Sequence, residues 1–357
     1  MTNTTTAIDA AKLEAFAAQV AGDLAANYGG VMVSLGDKLG LYRSLAGAGP
    51  LTSAEVAERA GCSERYVREW LNSQVVAGYL EHDAETATYL LAPEHAAVLA
   101  DADSPVLMTP AFNIPASMWH DEELAIRAFR TGEGVPWGAH HERLACGVAA
   151  FYRNAYKGTL VPVWLPALDG VVERLEAGAK VADVGCGHGH STVLMAQAFP
   201  RSTFVGIDTH PDSVAAAREH ARAAGVADRV EFATATASDY AERGFDLICF
   251  FDALHDMGDP VAAARHARSA LAPGGTVMLV EPYAADAMAE NAGVVGRLYY
   301  SVSTTVCCAH AISEEAEDAL GAQAGEARLA GVFARAGYSH WRRAAESPFN
   351  LVLEARA

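Results

Sequence analysis

The chain has 357 residues, of which 51% are hydrophobic and 20% charged, an ordinary composition for a globular protein with a large core. This length allows two domains. The formal net charge of −18 argues against nucleic acid or an anionic membrane surface as the main partner.

The N-terminal sequence and the cysteines both indicate a cytoplasmic protein. The segment MTNTTTAIDAAK has neither the basic region nor the apolar core of a signal peptide. No run of about 18 apolar residues predicts a membrane span. The six cysteines lack the spacing of a disulfide scaffold, which suits reduced thiols.

Residues 8–45 have the apolar spacing of two helices, with Gly29–Gly30 as the expected break between them. An apolar stripe this long usually needs a partner surface, either on another chain or within the same chain. The residues of the stripe are Leu13, Phe16, Val20, Leu24, Val31, Leu35, Leu39 and Tyr42.

Residues 51–99 have the pattern of a winged helix-turn-helix. Thr52 or Ser53 caps a short helix, and a second helix is predicted over 63–77. The segments 79–80 and 89–91 are the predicted strands of the wing. Eight acidic and three basic residues give this segment a formal charge of −5. Because cations that neutralise phosphates supply most of the affinity for DNA, we expect no nucleic-acid partner here.

Residues 101–165 are predicted to be mostly helical and are rich in aromatic side chains. Such residues either form the wall of a small-molecule pocket or pack in the core. The adjacent histidines His140 and His141 are not taken as a metal site, because neighbouring histidines on one backbone rarely point to one ion.

A predicted strand, a glycine loop and a helix start follow one another in the stretch VADVGCGHGHSTVLMAQAFP. Gly185, Gly187 and Gly189 let a ligand approach the backbone, and the helix start offers unpaired N–H groups. The spacing puts His190 where the dinucleotide fingerprint G-x-G-x-x-G has its last glycine, which argues against an NAD oxidoreductase.

Two acids flank this loop. Asp183 precedes the first glycine, and Asp208 ends the next predicted strand, where it is placed to accept hydrogen bonds from ribose hydroxyls. With D-x-G-x-G-x-G followed by VGID, the chain resembles the class I S-adenosylmethionine (SAM) methyltransferases that carry an N-terminal winged-helix dimerisation domain, of the actinobacterial type. The resemblance implies SAM as cofactor, a small-molecule acceptor and a homodimer.

The fold class that the resemblance implies is α/β: a Rossmann-like sheet with an antiparallel last strand, behind an α-helical, winged-helix N-terminal domain. The segments 340–345 and 350–355 fit the two strands at the end of such a sheet. The predicted domains are a dimerisation domain (1–100), a helical connector and pocket wall (101–165) and a SAM-binding domain (166–357) with an insertion (283–327).

The resemblance also implies which residues contact the cofactor. In the family an acid after the third strand holds the adenine amino group, but here Thr236 occupies that position and Asp239 is the nearest acid. Phe251 directly follows the fourth predicted strand, over 245–250, beside the expected place of the methyl group. The predicted cofactor-binding set is Asp183, Gly185, Gly187, Gly189, Asp208, Thr236, Asp239 and Phe251.

The segment LHDMGD after the fourth strand carries the candidate catalytic residues His255 and Asp256. Methyl transfer from a sulfonium disperses charge, so alignment and exclusion of water supply most of the rate, and the protein must add a base for the acceptor. The segment matches the HDW-type motif in which plant-type O-methyltransferases carry their catalytic histidine. His255 is therefore the candidate base for O- or N-methylation, with Asp252 or another acid orienting its ring. Alternatively, His255 only caps the loop.

Two further readings stay open. In a few metal-dependent C-methyltransferases of α-keto acids, a His-Asp pair and a later histidine bind the ion, which here implies His255, Asp256 and His310 around a divalent transition metal. Cys307 and Cys308 are either thiol ligands or apolar fillers. A ligand-sensing winged-helix regulator is the alternative from another functional class.

Overall fold

The computed structural model describes residues 8–317 and 319–357. Two compact units divide the chain, one ending at Asn113 and the other running from Ile114 to Ala357. Residues 101–165, predicted as one connector, are therefore shared between the two units. Within the described residues, no helix is long and apolar enough to cross a membrane.

The first unit is helical with one small antiparallel sheet of order β1-β3-β2. Its elements are α1 (Ala10–Lys38), α2 (Leu41–Leu45), β1 (Leu51–Thr52), α3 (Ser53–Ala60), α4 (Glu64–Val76), β2 (Glu81–Asp83), β3 (Thr88–Leu90) and α5 (Pro93–Leu99).

Helix α1 runs without interruption through Gly29 and Gly30, so the predicted break there is wrong. Each glycine in a helix interior costs about 1 kcal/mol relative to alanine. A helix of 29 residues tolerates this penalty, because propagation adds a hydrogen bond for every residue. Gly30 also has a packing role, since a Cβ there would lie 3.3 Å from the Phe112 ring.

The winged-helix pattern is confirmed. Thr52 caps α3 in a capping box with Glu55, and α4 matches the second predicted helix. The first wing strand begins at Glu81, two residues later than predicted. The reason is that Leu80, 4% exposed, packs in the hydrophobic core of this unit instead of joining the strand.

The second unit is an α/β sheet with helices on both faces. Its helices are α6 (Asn113–His120), α7 (Glu122–Thr131), α8 (Arg143–Thr159), α9 (Val171–Ala177), α10 (His190–Ala198), α11 (Pro211–Ala223), α12 (Pro260–Ala270), α13 (Val294–Val302), α14 (Cys308–Ser313) and α15 (Glu326–Arg335). Its strands are β4 (Lys180–Val184), β5 (Thr203–Asp208), β6 (Val230–Thr234), β7 (Phe245–Phe251), β8 (Leu271–Pro282), β9 (His340–Glu346) and β10 (Asn350–Arg356).

The seven strands have the order β6-β5-β4-β7-β8-β10-β9. The neighbouring pairs from β6 to β8 are parallel, whereas β10 lies antiparallel between β8 and β9. The predicted fold class, with its antiparallel last strand, is confirmed. The pairing of β7 with β8 has a register shift between Phe245 and Leu247.

Strand β7 illustrates why the sheet is buried on both faces. Leu247, Cys249 and Phe251 point into one hydrophobic core, and Ile248 and Phe250 point into the other. Near-continuous apolar strands of this kind are typical of parallel sheets covered by helices on both sides. Because β4, β5 and β7 are parallel, their carboxyl ends meet at one edge of the sheet. Ligands of open α/β sheets bind at this edge.

Candidate active site

A cavity of about 440 Å³ lies at this edge of the sheet in the second unit. Its wall includes the loop after β4, the ends of β5 and β7, and residues 235–238. The predicted insertion contributes His310 and Glu314 to the same wall.

The three glycines of the loop after β4 all have a left-handed φ, but they differ in role. Gly185 and Gly187 line the cavity, and a Cβ on Gly187 would meet nothing within 4 Å, so this part of the loop is open to a ligand. Gly189 is not on the wall. A Cβ there would lie 2.7 Å from the Phe232 ring, so packing against the core requires this glycine.

Asp208 lies at the end of β5 on the cavity wall, as expected. Its Oδ2 accepts a hydrogen bond from the Gly187 N–H at 2.8 Å, and its Oδ1 accepts one from the His210 N–H at 2.8 Å. These bonds fix the carboxylate beside the glycine loop, and each oxygen keeps a lone pair for a further donor.

Asp183 lies behind the loop rather than on the wall. It is fully buried, and its Oδ2 accepts hydrogen bonds from the hydroxyls of Ser191 and Thr192, both at 2.6 Å. Burial raises the pKa of Asp183 to about 6, although these hydrogen bonds oppose the shift. The residue predicted to contact the cofactor therefore joins β4 to the start of α10.

Of the remaining residues predicted to contact the cofactor, some line the cavity and one does not. Thr236 and Phe251 line the cavity, whereas Asp239 does not and Ser238 lies on the wall instead. Two hydroxyl side chains, those of Thr236 and Ser238, thus occupy the place where an acid was expected to hold the adenine amino group.

His255 lies in a short 3₁₀ turn directly after β7 and is 4% exposed. Its Nδ1 is hydrogen-bonded to the Oε2 of Glu281, and the other oxygen of Glu281 accepts from the Leu254 N–H at 3.0 Å. Glu281, on β8, is therefore the acid that orients the His255 ring, and sequence reasoning missed it. The only available signal was a charged residue in the otherwise apolar strand TVMLVEP.

Asp256 stands between His255 and the cavity. It lines the cavity, which His255 does not, and its Oδ1 lies 3.2 Å from His255 Nε2. Asp256 Oδ1 has no hydrogen-bond partner, so this short distance to Nε2 is its polar contact inside the cluster. Burial alone lowers the pKa of His255, but the carboxylates of Asp256 and Glu281 outweigh it and raise this pKa well above its ordinary value.

Asp252, the expected orienting acid, has a different environment. Its backbone is left-handed, with φ at 50°, and its carboxylate accepts from Asn350 Nδ2 at 2.9 and 3.1 Å. Burial raises the pKa of Asp252 well above its ordinary value. It lines the cavity but does not hold His255.

The metal set with His310 is not formed. His310 Nδ1 accepts a hydrogen bond from the Trp137 N–H at 3.2 Å, and its Nε2 lies 3.6 Å from Glu314 Oε1. The ligand atoms that do lie within 4.8 Å of one another belong to His255, Asp256 and Cys307. Burial raises the pKa of the Cys307 thiol to about 12.

Comparison with known proteins agrees with the fold of both units. Residues 27–101 match the family described as "Rv2258c-like winged HTH domain", and residues 175–337 match the family described as "Methyltransferase domain". The second unit has the fold of a class I methyltransferase.

Several solved structures share the fold of both units. Two of them are named for the small molecules that they methylate. Mitomycin 7-O-methyltransferase is 21% identical, with a TM-score of 0.69 over 98% of this chain and 100% of its own. Human N-acetylserotonin methyltransferase in complex with SAM is 17% identical, with a TM-score of 0.71 over 100% of this chain and 99% of its own.

Curated relatives match about a third of the chain. The 27-O-demethylrifamycin SV methyltransferase of Amycolatopsis mediterranei is 34% identical over 131 residues, 34% of this chain and 48% of the relative. The ubiquinone biosynthesis O-methyltransferase of Xanthomonas euvesicatoria is 37% identical over 116 residues, 31% of this chain and 47% of the relative. The chain thus spans about half the length of these relatives.

Proposed function

We propose that this chain transfers a methyl group from SAM to a hydroxyl group of a small molecule. The observation that carries the proposal is that one cavity joins the glycine loop, with Asp208 fixed beside it, to the His255–Asp256–Glu281 cluster. The names of the relatives, several of them O-methyltransferases, support oxygen as the acceptor atom.

The residues on the wall fit SAM. The open space at Gly187 admits a ligand next to the backbone, and Asp208 offers acceptors to ribose hydroxyls. Thr236 and Ser238 would offer hydroxyls to the adenine, and Phe251 would offer an apolar contact from the end of β7. When bound, SAM supplies an electrophilic methyl group on a sulfonium.

The acidic cluster accounts for the proton of the acceptor. Asp256 meets the acceptor hydroxyl at the wall, and the proton passes through its carboxylate to Nε2 of neutral His255 behind it. Glu281 holds the Nδ1–H and so keeps Nε2 directed toward Asp256. The resulting imidazolium lies between two carboxylates, which stabilise its charge.

The other two functional classes find no support. The keto-acid C-methyltransferase requires His310 beside His255, and His310 instead pairs with Trp137 and Glu314. A regulator that binds DNA requires a basic face, and the winged-helix segment carries a formal charge of −5.

We expect Asp208→Ala to weaken SAM and S-adenosylhomocysteine binding by about 1–3 kcal/mol, the scale of losing charged hydrogen bonds. Isothermal titration calorimetry measures this loss. The matched control is Asp212→Ala, which removes an exposed carboxylate four residues away. Equal affinities for Asp208→Ala and this control, in folded proteins, would contradict the assignment of the cofactor site.

We also propose that the chain is a homodimer formed through α1. The stripe predicted from the sequence remains exposed in the first unit from Leu13 to Leu39, with Phe16 at 64% and Val20 at 49%. A row of large apolar side chains along a 29-residue helix is unfavourable in water unless it is covered. An identical helix offers the self-complementary surface of a two-fold interface.

Glutamates at Phe16 and Val20 should convert the dimer to a monomer at micromolar concentration, because charges cannot be buried in an apolar interface without partners. Sedimentation velocity measures the change. The control pair, Ala15→Glu and Ala18→Glu, lies on the opposite side of the same helix and should leave the dimer intact. A wild-type chain that sediments as a monomer would end this proposal.

The cysteines support a cytoplasmic location as a further part of the proposal. All six are free thiols, and Cys186, Cys249 and Cys307 are buried. Unpaired cysteines are typical of proteins that work in a reducing compartment.

A further inference from the structure

Three side chains of different chemical types meet at the candidate base. The ligand atoms of His255, Asp256 and Cys307, which we call the thiol cluster, lie within 4.8 Å of one another. His255 Nε2 is 3.2 Å from Asp256 Oδ1. A tetrahedral ion with bonds of about 2.0–2.3 Å holds its ligand atoms about 3.3–3.8 Å apart. Small movements of the side chains would therefore close the thiol cluster around one ion.

The donor set of the thiol cluster favours one class of metal. Cys307 ends the π-helical turn Ser303–Cys307 and is buried, so its sulfur faces the cluster and not the solvent. Zn²⁺ binds imidazole, carboxylate and thiolate together, whereas Mg²⁺ and Ca²⁺ prefer oxygen ligands only. The sulfur therefore selects Zn²⁺ over the abundant alkaline-earth ions.

The second ring nitrogen of His255 has the partner that a zinc ligand requires. Histidines that bind zinc usually donate their other ring N–H to a carboxylate, which fixes the ring and makes the ligand nitrogen more basic. Glu281 is hydrogen-bonded to His255 Nδ1, and its other oxygen is fixed by the Leu254 N–H at 3.0 Å. This arrangement leaves Nε2, on the side of Asp256, as the ligand atom.

A divalent cation can reach the thiol cluster through the cavity. Asp256 lines the cavity, whereas His255 and Cys307 are buried. Among the described residues that line the cavity there is no lysine or arginine to repel a cation. The carboxylates of Asp256 and Glu281 supply two negative charges at the ion's position. Three protein ligands leave a fourth position on the ion for water.

We infer that His255, Asp256 and Cys307 form a Zn²⁺ site and that the bound ion inhibits the chain. Zn²⁺ takes the Nε2 lone pair that receives the acceptor's proton in the proposed function. The ion binds thiolate and neutral imidazole, so the thiol proton, and the Nε2 proton where the ring carries one, are released to water. The binding stands on the geometry of the cluster, whereas the inhibition rests on the proposed function.

Calorimetric titration of Zn²⁺ into the full chain, freed of metal with EDTA and dialysed, tests the site. We expect a Kd of about 1 µM or lower, weaker than that of the four-ligand sites of zinc fingers. Cys307→Ala should weaken this binding by more than about 10-fold, because it removes a ligand. Cys308→Ala is the matched control, since it removes the neighbouring thiol, which is not part of the cluster. Glu281→Gln should weaken binding by about 10-fold through the His255 ring.

Co²⁺ in place of Zn²⁺ reports the ligands directly and does not depend on any variant. The wild-type chain and Cys308→Ala should show the near-ultraviolet charge-transfer band of a thiolate bound to Co²⁺, and Cys307→Ala should lack it. With the first acceptor that the wild-type chain methylates, Zn²⁺ should inhibit turnover, and Cys307→Ala should require more Zn²⁺ for the same inhibition.

The site is overturned if Cys307→Ala binds Zn²⁺ as tightly as Cys308→Ala, or if Co²⁺ gives no thiolate band with the wild-type chain. Full turnover with Zn²⁺ bound at the thiol cluster would overturn the inhibition. Failure of the metal-free wild-type chain to bind S-adenosylhomocysteine would instead contradict the proposed function and leave the metal site standing, so the two failures can be distinguished.

Discussion

Replacing His255 by alanine should lower turnover by about 10²–10⁴-fold, the usual contribution of a general base. The expected cause is that Asp256 keeps contact with the acceptor but no longer has a group to which it can pass the proton. Cofactor binding should be unchanged, because His255 is not on the cavity wall. The loss should therefore appear in kcat and not in the affinity for SAM.

The measurement is the release of S-adenosylhomocysteine with the first acceptor that the wild-type chain methylates. His340→Ala is the matched control, because it removes an exposed histidine from β9 of the same domain. Asp256→Asn should reproduce the defect, since the proposed proton path crosses its carboxylate. Full activity of His255→Ala would leave catalysis to alignment alone and reduce His255 to a loop cap.

A chelator separates the base from a metal ligand. If His255 works as proposed, EDTA should not change the rate. If activity disappears with EDTA and returns with a transition metal, the cluster of His255, Asp256 and Cys307 holds an ion and the proton path is wrong.

Local sequence patterns predicted the sheet and the cofactor edge, because each feature lies within one short segment. Strand β4, the glycine loop and the start of α10 follow directly from an apolar run, three glycines and a polar helix start. Asp208 was found because it ends the next strand. The segments could not show which residues of the motif face the cavity and which face the core. Asp183 and Gly189 belong to the same motif as the cavity-lining glycines, yet they face the core.

Contacts between distant segments could not be predicted from local sequence patterns, because they depend on how strands pair in the folded chain. Glu281 meets His255 only because β8 pairs with β7, and the pairing register is not written in either strand alone. The choice of His310 as the third metal ligand failed for a similar reason, because it also depended on a contact between distant segments. A π-helical turn over Ser303–Cys307 changes the rotation of the chain before α14, so Cys307, rather than His310, reaches the His255 ring.

The pH dependence of the rate should have its midpoint above 6.5, the value of an unperturbed histidine. The two carboxylates around His255 favour its charged form and raise its pKa, although burial acts in the opposite direction. Because the neutral form is the base, activity should rise with pH through this raised pKa. Below it, the rate should fall about tenfold for each pH unit, as the neutral fraction does.

Glu281→Gln should shift this midpoint to lower pH, since it removes one of the charges that favour the imidazolium. The plateau at high pH should also fall, because the Nδ1–H loses its charged acceptor and the ring is held less firmly. Initial rates between about pH 5.5 and 9.5 measure both effects in the same experiment. A merely structural role for Glu281 predicts a lower plateau with an unmoved midpoint, so the shift itself is what assigns the carboxylate to the basicity of His255.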